Sequence, residues 1–333
     1  MTLSSPAPAS PAPTHGTAQH GRPATRRDAG HPAATGLLVA VLSSAAFGTS
    51  GAVGRSMLDT GWTPGAVVLL RITLAAVLMA VPTALALRGR WFLLRRNAGL
   101  VVAYGVLAVA GAQLAYFSAI EHLSVAVALL IEYLAPVLIV GWVWARTRVR
   151  PTRLTALGVV LSMAGLVLVL DLTGDVRLSL VGVAWALVAA VGLAGYFLLA
   201  EQGGDDGMPA IALAGSGLVV GAAVLGLAGL LQVLPLQAST ADVSLAGVSL
   251  PWWAAGAELA VVAGALAYAL GVVAVRRLGP TLGAFVALTE VLFAVVFAWL
   301  LLGQLPVPVQ LLGGALIVTG VVAVRLGALR PRA

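Results

Sequence analysis

The sequence predicts an all-α integral membrane protein, with ten transmembrane helices arranged as two inverted five-helix repeats. Hydrophobic residues make up 60% of the 333 residues and charged residues only 9%, with a mean hydropathy of +1.04. This leaves too little polar surface for a soluble protein. Ten apolar runs are each long enough to cross about 30 Å of hydrocarbon. An internal repeat then relates the two halves of the chain.

Residues 1–35 are predicted to form a disordered cytoplasmic tail. They are mainly Pro, Ala, Ser, Thr, Gly and His, and they contain no apolar run that could be buried. They also lack the apolar region of a signal peptide. The histidines of this tail are irregularly spaced and the chain has no cysteine. We therefore predict no metal site and no cofactor.

The ten apolar runs follow one another with short connections, except for the polar segment Val233–Pro251. The runs cover about residues 36–56, 64–87, 97–119, 124–145, 152–171, 178–200, 208–232, 252–275, 280–302 and 306–326.

A constant offset of 155 residues relates the fourth and fifth runs to the ninth and tenth. Without a gap, this offset superposes Trp144 on Trp299, Pro151 on Pro306, Gly158 on Gly313, and Gly165 on Gly320. A repeat of five helices is odd in number, so its second copy must enter the membrane from the opposite side. We predict one repeat over residues 36–172, a second over 173–327, and a short cytoplasmic tail over 328–333.

The arginines predict the orientation. All 19 basic residues are arginine. With a cytoplasmic N-terminus, 16 of them lie on the inner side, and only Arg55 and Arg177 lie outside. The positive-inside rule therefore predicts a multi-pass protein of the cytoplasmic membrane with both termini in the cytoplasm. This topology accounts for the positive net charge, and no nucleic-acid partner is predicted.

Four charged side chains interrupt the apolar runs: Arg71, Glu132, Glu258 and Glu290. A charge at the bilayer centre costs at least about 2.5–3.5 kcal/mol, so each is a functional candidate. At about 1.5 Å per residue, the first three and Gln113 lie roughly 9–12 Å below the outer ends of their helices. They are therefore expected to share one level of a cavity.

Arg71 and Glu132 are the leading candidates for an ion pair, which a planar guanidinium favours. Two interpretations stay open. The pair could be a structural salt bridge that fixes helix packing, or it could bind the carboxylate and the amine of a zwitterionic substrate.

Glu290 lies near the middle of its run, where an unpaired carboxyl suits the binding and release of a coupling proton. Alternatively, Glu290 is a neutral acid that hydrogen-bonds to the backbone or to Thr289. Glu258 stands close to Trp252 and Trp253, so simple exposure to water is its alternative.

Tyr116 lies one turn from Gln113 and on the same helix face. Together with Tyr268 it is a candidate for substrate contact, although tyrosines at such positions also serve in helix packing. Gly217 and Gly221 in the seventh run permit close helix approach, either within the chain or in a homodimer.

Pro136 removes one backbone hydrogen bond close to Glu132 and is predicted to kink the fourth helix at the site. On an unbroken helix, Tyr133 points about 100° away from Glu132. These two side chains are therefore not expected to line the same face of a cavity.

Several motifs resemble those of the EamA-type family of the drug/metabolite transporter superfamily, over about residues 36–326. They are Phe47-Gly48, Arg71, Glu132 to Pro136, Thr289-Glu290-Val291, Trp299 to Gln304 and Gln310 to Ile317. The resemblance implies ten helices in two inverted repeats, and transport of amino acids or other small metabolites, often outward. Two positions depart from the family pattern: Glu290-Val291 replaces the usual Glu-Pro, and Gln304 replaces an acid after Leu-Gly.

The expected function is secondary transport of small metabolites, most plausibly export of amino acids or related compounds. The expected partners are a small-molecule substrate and the lipid bilayer, with protons as a candidate coupling ion and a monomer or homodimer as the assembly. An intramembrane enzyme is the first alternative, but the runs contain no histidine, HExxH or GxSxG. A channel without transport-cycle gating is the second, but no repeated filter is visible.

Overall fold

The computed structural model describes residues 30–170, 179–202, 207–302 and 307–329. Residues 1–29 of the predicted tail, residues 330–333 and Gln304 lie outside the described residues. Within the described ranges, ten helices are long and apolar enough to cross a membrane, as predicted. They are α1 (Ala34–Asp59), α2 (Pro64–Ala86), α3 (Ala98–His122), α4 (Val125–Thr147), α5 (Arg153–Leu170), α6 (Leu180–Gln202), α7 (Ala210–Leu230), α8 (Trp252–Leu278), α9 (Pro280–Phe297) and α10 (Pro308–Ala328).

Five of these helices are irregular. Three have a break, which separates Gly30–Gly48 from Ser50–Asp59 in α1, Val125–Glu132 from Ala135–Thr147 in α4, and Pro280–Ala287 from Thr289–Leu302 in α9. The helical segments thus begin before the apolar span of α1 and end after that of α9. Two contain a π-helical segment, which is Tyr104–Gly111 in α3 and Val261–Leu266 in α8.

Four of these five irregularities follow the same 155-residue offset as the sequence repeat, whereas the break of α1 at Thr49 has no counterpart in the continuous helix α6. This offset separates the breaks at Tyr133 and Leu288, and it also separates the ends of the π segments at Gly111 and Leu266. In α4 the break precedes Pro136, which lacks the N–H that would continue the hydrogen-bond ladder. The repeat therefore includes the distortions of the helices as well as their number.

Helices α5 and α10 pack through the glycines that the repeat had matched. A Cβ on Gly165 would lie 2.6 Å from the carbonyl oxygen of Gly313, and a Cβ on Gly320 would lie 2.8 Å from that of Gly158. The two contacts run in opposite directions along the chain, so the helices are antiparallel. Exchanging the two repeats turns one contact into the other, which is the signature of an approximate two-fold relation.

A small hairpin lies between α7 and α8, in the segment predicted to be extramembrane. Its strands β1 (Val243–Leu245) and β2 (Val248–Leu250) are antiparallel. The same loop reaches the start of α2, where the amide of Thr63 donates to the carbonyl of Gln237 at 3.0 Å. We call this side of the bundle the hairpin end, and the opposite side, where α1 begins and α10 ends, the termini end.

The glycine pair of α7 serves packing within the chain. A Cβ on Gly221 would lie 3.2 Å from the carbonyl oxygen of Gly105 and 3.0 Å from a methyl group of Val109, both in the π segment of α3. Gly217 meets the ring of Tyr104 in the same segment. The two glycines therefore let α7 approach α3 closely.

Candidate functional site

A central cavity lies among helices of both repeats. Its wall contains six of the seven predicted site residues: Arg71, Gln113, Tyr116, Glu132, Tyr268 and Glu290. They come from α2, α3, α4, α8 and α9. The fold therefore brings together side chains that lie more than 200 residues apart in the sequence, such as Arg71 and Glu290.

Arg71 is almost fully buried, with 1% of its surface exposed. Its Nη1 donates to Ser50 Oγ at 2.9 Å and to Gln113 Oε1 at 2.6 Å, and its Nη2 donates to the carbonyl of Ala263 at 2.5 Å. The rings of Phe47 and Phe117 each lie 5.9 Å from the guanidinium carbon, close enough for cation–π attraction. These contacts hold the cation in one orientation.

The predicted ion pair between Arg71 and Glu132 is wrong for this conformation. Neither a hydrogen bond nor a salt bridge joins them, since the bonds of Arg71 go to neutral acceptors. Both side chains nevertheless line the cavity. Within the described part of the chain, Glu132 has no hydrogen-bond partner, and the Nε of Arg71 is buried without one.

Glu290 is held by the other broken helix. The hydroxyl of Tyr133 donates to Glu290 Oε2 at 2.6 Å and lies 3.2 Å from the carbonyl oxygen of Ala287. Tyr133 stands at the break of α4, and Ala287 precedes the break of α9. One side chain thus connects the two breaks at the centre of the molecule.

Tyr133 also lines the cavity together with Glu132, contrary to the expectation from helix geometry. The α4 helix ends at Glu132, and Tyr133 and Leu134 form a turn before the next segment. The angle of about 100° between successive side chains applies only to an unbroken helix.

Glu258 does not belong to the predicted layer of polar residues around the cavity. Its Oε1 accepts a hydrogen bond from the hydroxyl of Thr49, and it is absent from the cavity wall. Helix depth alone placed it level with Arg71, but the π segment that begins at Val261 changes which face of α8 each residue presents.

The sequence-based interpretation missed much of the cavity wall. A row of rings begins at Phe47, which lies 5.4 Å from Tyr268, and continues to Tyr196 at 5.8 Å from Tyr268. Ser43, Ser44 and Ser50 add hydroxyl groups from α1. A helix face rich in Ser in an otherwise apolar first run was the available signal for these residues.

The cavity is displaced towards the termini end. It reaches Val275, close to the end of α8 at Leu278, and Gly283, the fourth residue of α9. At its other extremity it stops at Ser50 and Tyr116, which leaves most of the Ser50–Asp59 segment above it.

Close packing fills the hairpin end above the cavity. A Cβ on Gly51 would lie 2.6 Å from the hydroxyl of Tyr116 and 2.8 Å from Val125, and Gly54 lies directly against the ring of Phe117. At the termini end, a second cavity is lined by Leu282, which adjoins Gly283 of the central one.

Comparison with known proteins identifies the family. The model of the EamA-like transporter family matches residues 34–171 and 180–326, once in each half of the chain. The chain belongs to this family. The EamA-like protein described here is therefore a membrane transporter of the drug/metabolite type that crosses the membrane ten times.

A solved crystal structure supports the same fold for this EamA-like chain. The two are 21% identical and superpose with a TM-score of 0.70, over 88% of this chain and 97% of the other. No protein of curated function matches the chain.

The structure shows how α9 accommodates one departure from the EamA pattern. Val291 stands where the family usually has a proline, yet α9 still breaks at Leu288, whose amide bonds to Phe285 three residues back at 3.2 Å. Glu290 therefore keeps its place in the first turn of the following segment without the proline.

Proposed function

We propose that this EamA-like transporter exports amino acids or related amine-bearing compounds across the cytoplasmic membrane, by alternating access to the central cavity. In this proposal both termini, and hence the termini end, face the cytoplasm. The protein acts as a secondary transporter and not as an enzyme.

The observation that carries the proposal is the separation of Arg71 and Glu132 within one cavity. A structural salt bridge would use up both charges, whereas here each charge retains binding capacity. The Nε of Arg71 has no partner among the described residues, and Nη2 uses one of its two N–H groups. This edge of the guanidinium is buried in the described conformation, and in the substrate-bound conformation it would match a carboxylate in a bidentate geometry.

Glu132 supplies the complementary acceptor for a substrate ammonium group. A carboxylate without a hydrogen-bond partner in a transmembrane cavity is costly, and a cationic substrate group reduces that cost. The rings of Phe47 and Tyr268 then offer an apolar surface for the rest of the substrate. Charge recognition at both ends of the head group supports amino acids over simple amines or acids.

We infer that Glu132 exchanges the substrate ammonium for a proton during the cycle. Either cation gives the carboxylate a positive partner. With a zwitterionic amino acid bound, the cavity carries one positive charge fewer than when Glu132 is protonated, because the substrate brings its own carboxylate. Export of the amine would then be coupled to proton entry. Glu290, which accepts a hydrogen bond from Tyr133, is the second candidate for this proton.

Ligand binding to the purified protein tests both recognition elements. A panel of amino acids is compared with the corresponding decarboxylated amines and N-acetylated acids, and the thermal unfolding midpoint is measured with each. A bound ligand stabilises the folded state by mass action. We expect at least one amino acid to raise the midpoint while its two derivatives do not. Equal shifts with a derivative would exclude recognition of the group it lacks.

A further inference from the structure

The break in α1 is fastened to α8 at two consecutive residues. At the break itself, the hydroxyl of Thr49 hydrogen-bonds to Glu258 Oε1 and also lies 2.9 Å from the carbonyl oxygen of Ala46, so its single proton is shared between these two acceptors. The next residue, Ser50, accepts from Arg71, whose Nη2 donates in turn to the carbonyl of Ala263. Glu258 and Ala263 lie on either side of the point where the π segment of α8 begins.

Glu258 is otherwise unexplained. It lies inside a transmembrane helix, it is absent from the cavity wall, and its Oε2 is buried without a partner among the described residues. A membrane-embedded carboxyl is costly and marks a functional position. Thr49 is its hydrogen-bond partner in the described structure, so its effect is exerted on the break of α1.

The segment that follows this break covers the cavity. Ser50–Asp59 begins at the cavity wall and continues to the hairpin end, where its glycines pack against α3 and α4. Alternating access requires the hairpin end to open in the other half of the cycle. A helix break next to the cavity is a natural hinge for that movement, because few backbone hydrogen bonds have to change.

We call Ser50–Asp59 the gate segment. We propose that Glu258 is a positioning residue, which holds the gate segment closed through its hydrogen bond with Thr49. With the contact made, Ser50–Asp59 stays closed over the cavity. With the contact broken, the segment pivots at Thr49 and opens the hairpin end. This role requires only that the protein is a transporter, and it is independent of the proposed substrate and direction.

The natural absence of cysteine makes a direct test possible. Met57 is a fully buried residue of the gate segment, so Met57→Cys introduces a single thiol that becomes accessible only when the segment moves. The rate of labelling by a hydrophilic thiol reagent is measured in the purified, full-length protein without substrate. Ser162→Cys, a fully buried position in α5, reports general loosening of the bundle.

Thr49→Val and Glu258→Leu each remove the contact, and either one alone suffices for the test. We expect about five- to tenfold faster labelling at Met57→Cys, as for loss of one hydrogen bond, and no change at Ser162→Cys. Thr49→Ser and Glu258→Gln keep a donor and an acceptor and should label at the parental rate. Thr319→Val, which removes a hydroxyl bonded within α10, is the matched control.

Two results would contradict the proposed role of the contact between Thr49 and Glu258. One is an unchanged labelling rate at Met57→Cys in whichever of Thr49→Val and Glu258→Leu folds. The other is an equal acceleration at Ser162→Cys, since that would mean a general loss of packing instead of gate opening.

Discussion

At the scale of single residues, the central cavity keeps its charged groups apart. Sequence reasoning identified Arg71, Glu132 and Glu290 because charges are rare and costly in apolar helices. It did not predict their partners, because these depend on which helices are neighbours. Ser50 is unremarkable in the sequence, and Gln113 was expected only at the same level of the cavity, yet these two side chains take the hydrogen bonds that were assigned to Glu132.

The unpaired state of Glu132 leads to a prediction for substrate affinity. Glu132→Gln should weaken binding of a transported amino acid by roughly 10- to 100-fold, since a charge-assisted hydrogen bond is worth about 1.5–3 kcal/mol. The unfolding midpoint without ligand should change little, because no protein group bonds to this carboxyl in the described structure. Glu121→Gln, at the exposed end of α3, is the control. Equal affinities for all three proteins would move the amine site elsewhere.

Tyr133 and Tyr104 provide a matched pair for stability. Tyr133→Phe removes the donor to Glu290 and should lower the free energy of unfolding by about 1–3 kcal/mol, because a buried acceptor loses its partner. Tyr104 is fully buried, and its hydroxyl faces that of Tyr196 but bonds to no carboxylate or carbonyl group among the described residues. Tyr104→Phe should therefore be neutral or stabilising. Thermal unfolding in detergent measures both, and the reverse order of stability would contradict the assignment of Tyr133.

At the scale of secondary structure, the bounds of the spans could be predicted from the sequence, whereas the breaks and π segments inside them mostly could not. Pro136 signalled the irregularity of α4. The break of α9 at Leu288 and the two π segments have no proline and no composition signal. Only the structure shows them. These distortions decide which side chains enter the cavity, as Tyr133 and Glu258 show.

The contact between α5 and α10 predicts a sharp difference between two glycines. Gly165→Ala places a Cβ 2.6 Å from the carbonyl of Gly313, so the helices must separate, at a cost of about 1–3 kcal/mol. Among the described residues, no atom lies within 4 Å of the corresponding position on Gly141 in α4. Gly141→Ala should be neutral or stabilise by up to about 1 kcal/mol. Similar unfolding midpoints for the two variants would mean that the glycine contact is unimportant.

At the scale of the whole molecule, composition and the 155-residue repeat were sufficient to predict ten spans in two inverted halves. Inverted repeats in transporters create a site at their interface that each half can expose in turn. The cavity fits this scheme, because both repeats line it and it lies nearer to the termini end. Substrate identity could not be predicted, because the aromatic rings and hydroxyl groups of the cavity wall come from five or more helices. Which of these helices are neighbours cannot be derived from the sequence.

Flux through the purified protein in liposomes tests the central claim most directly. A panel of amino acids and related amines is measured with and without a pH gradient, alongside Glu132→Gln protein of equal folding and reconstitution. We predict gradient-dependent flux of at least one amino acid by the unmodified protein, and its loss in Glu132→Gln. No flux of any panel member by the folded protein, or flux that is unaffected by Glu132→Gln, would contradict the claim that this cavity carries amino acids between Arg71 and Glu132.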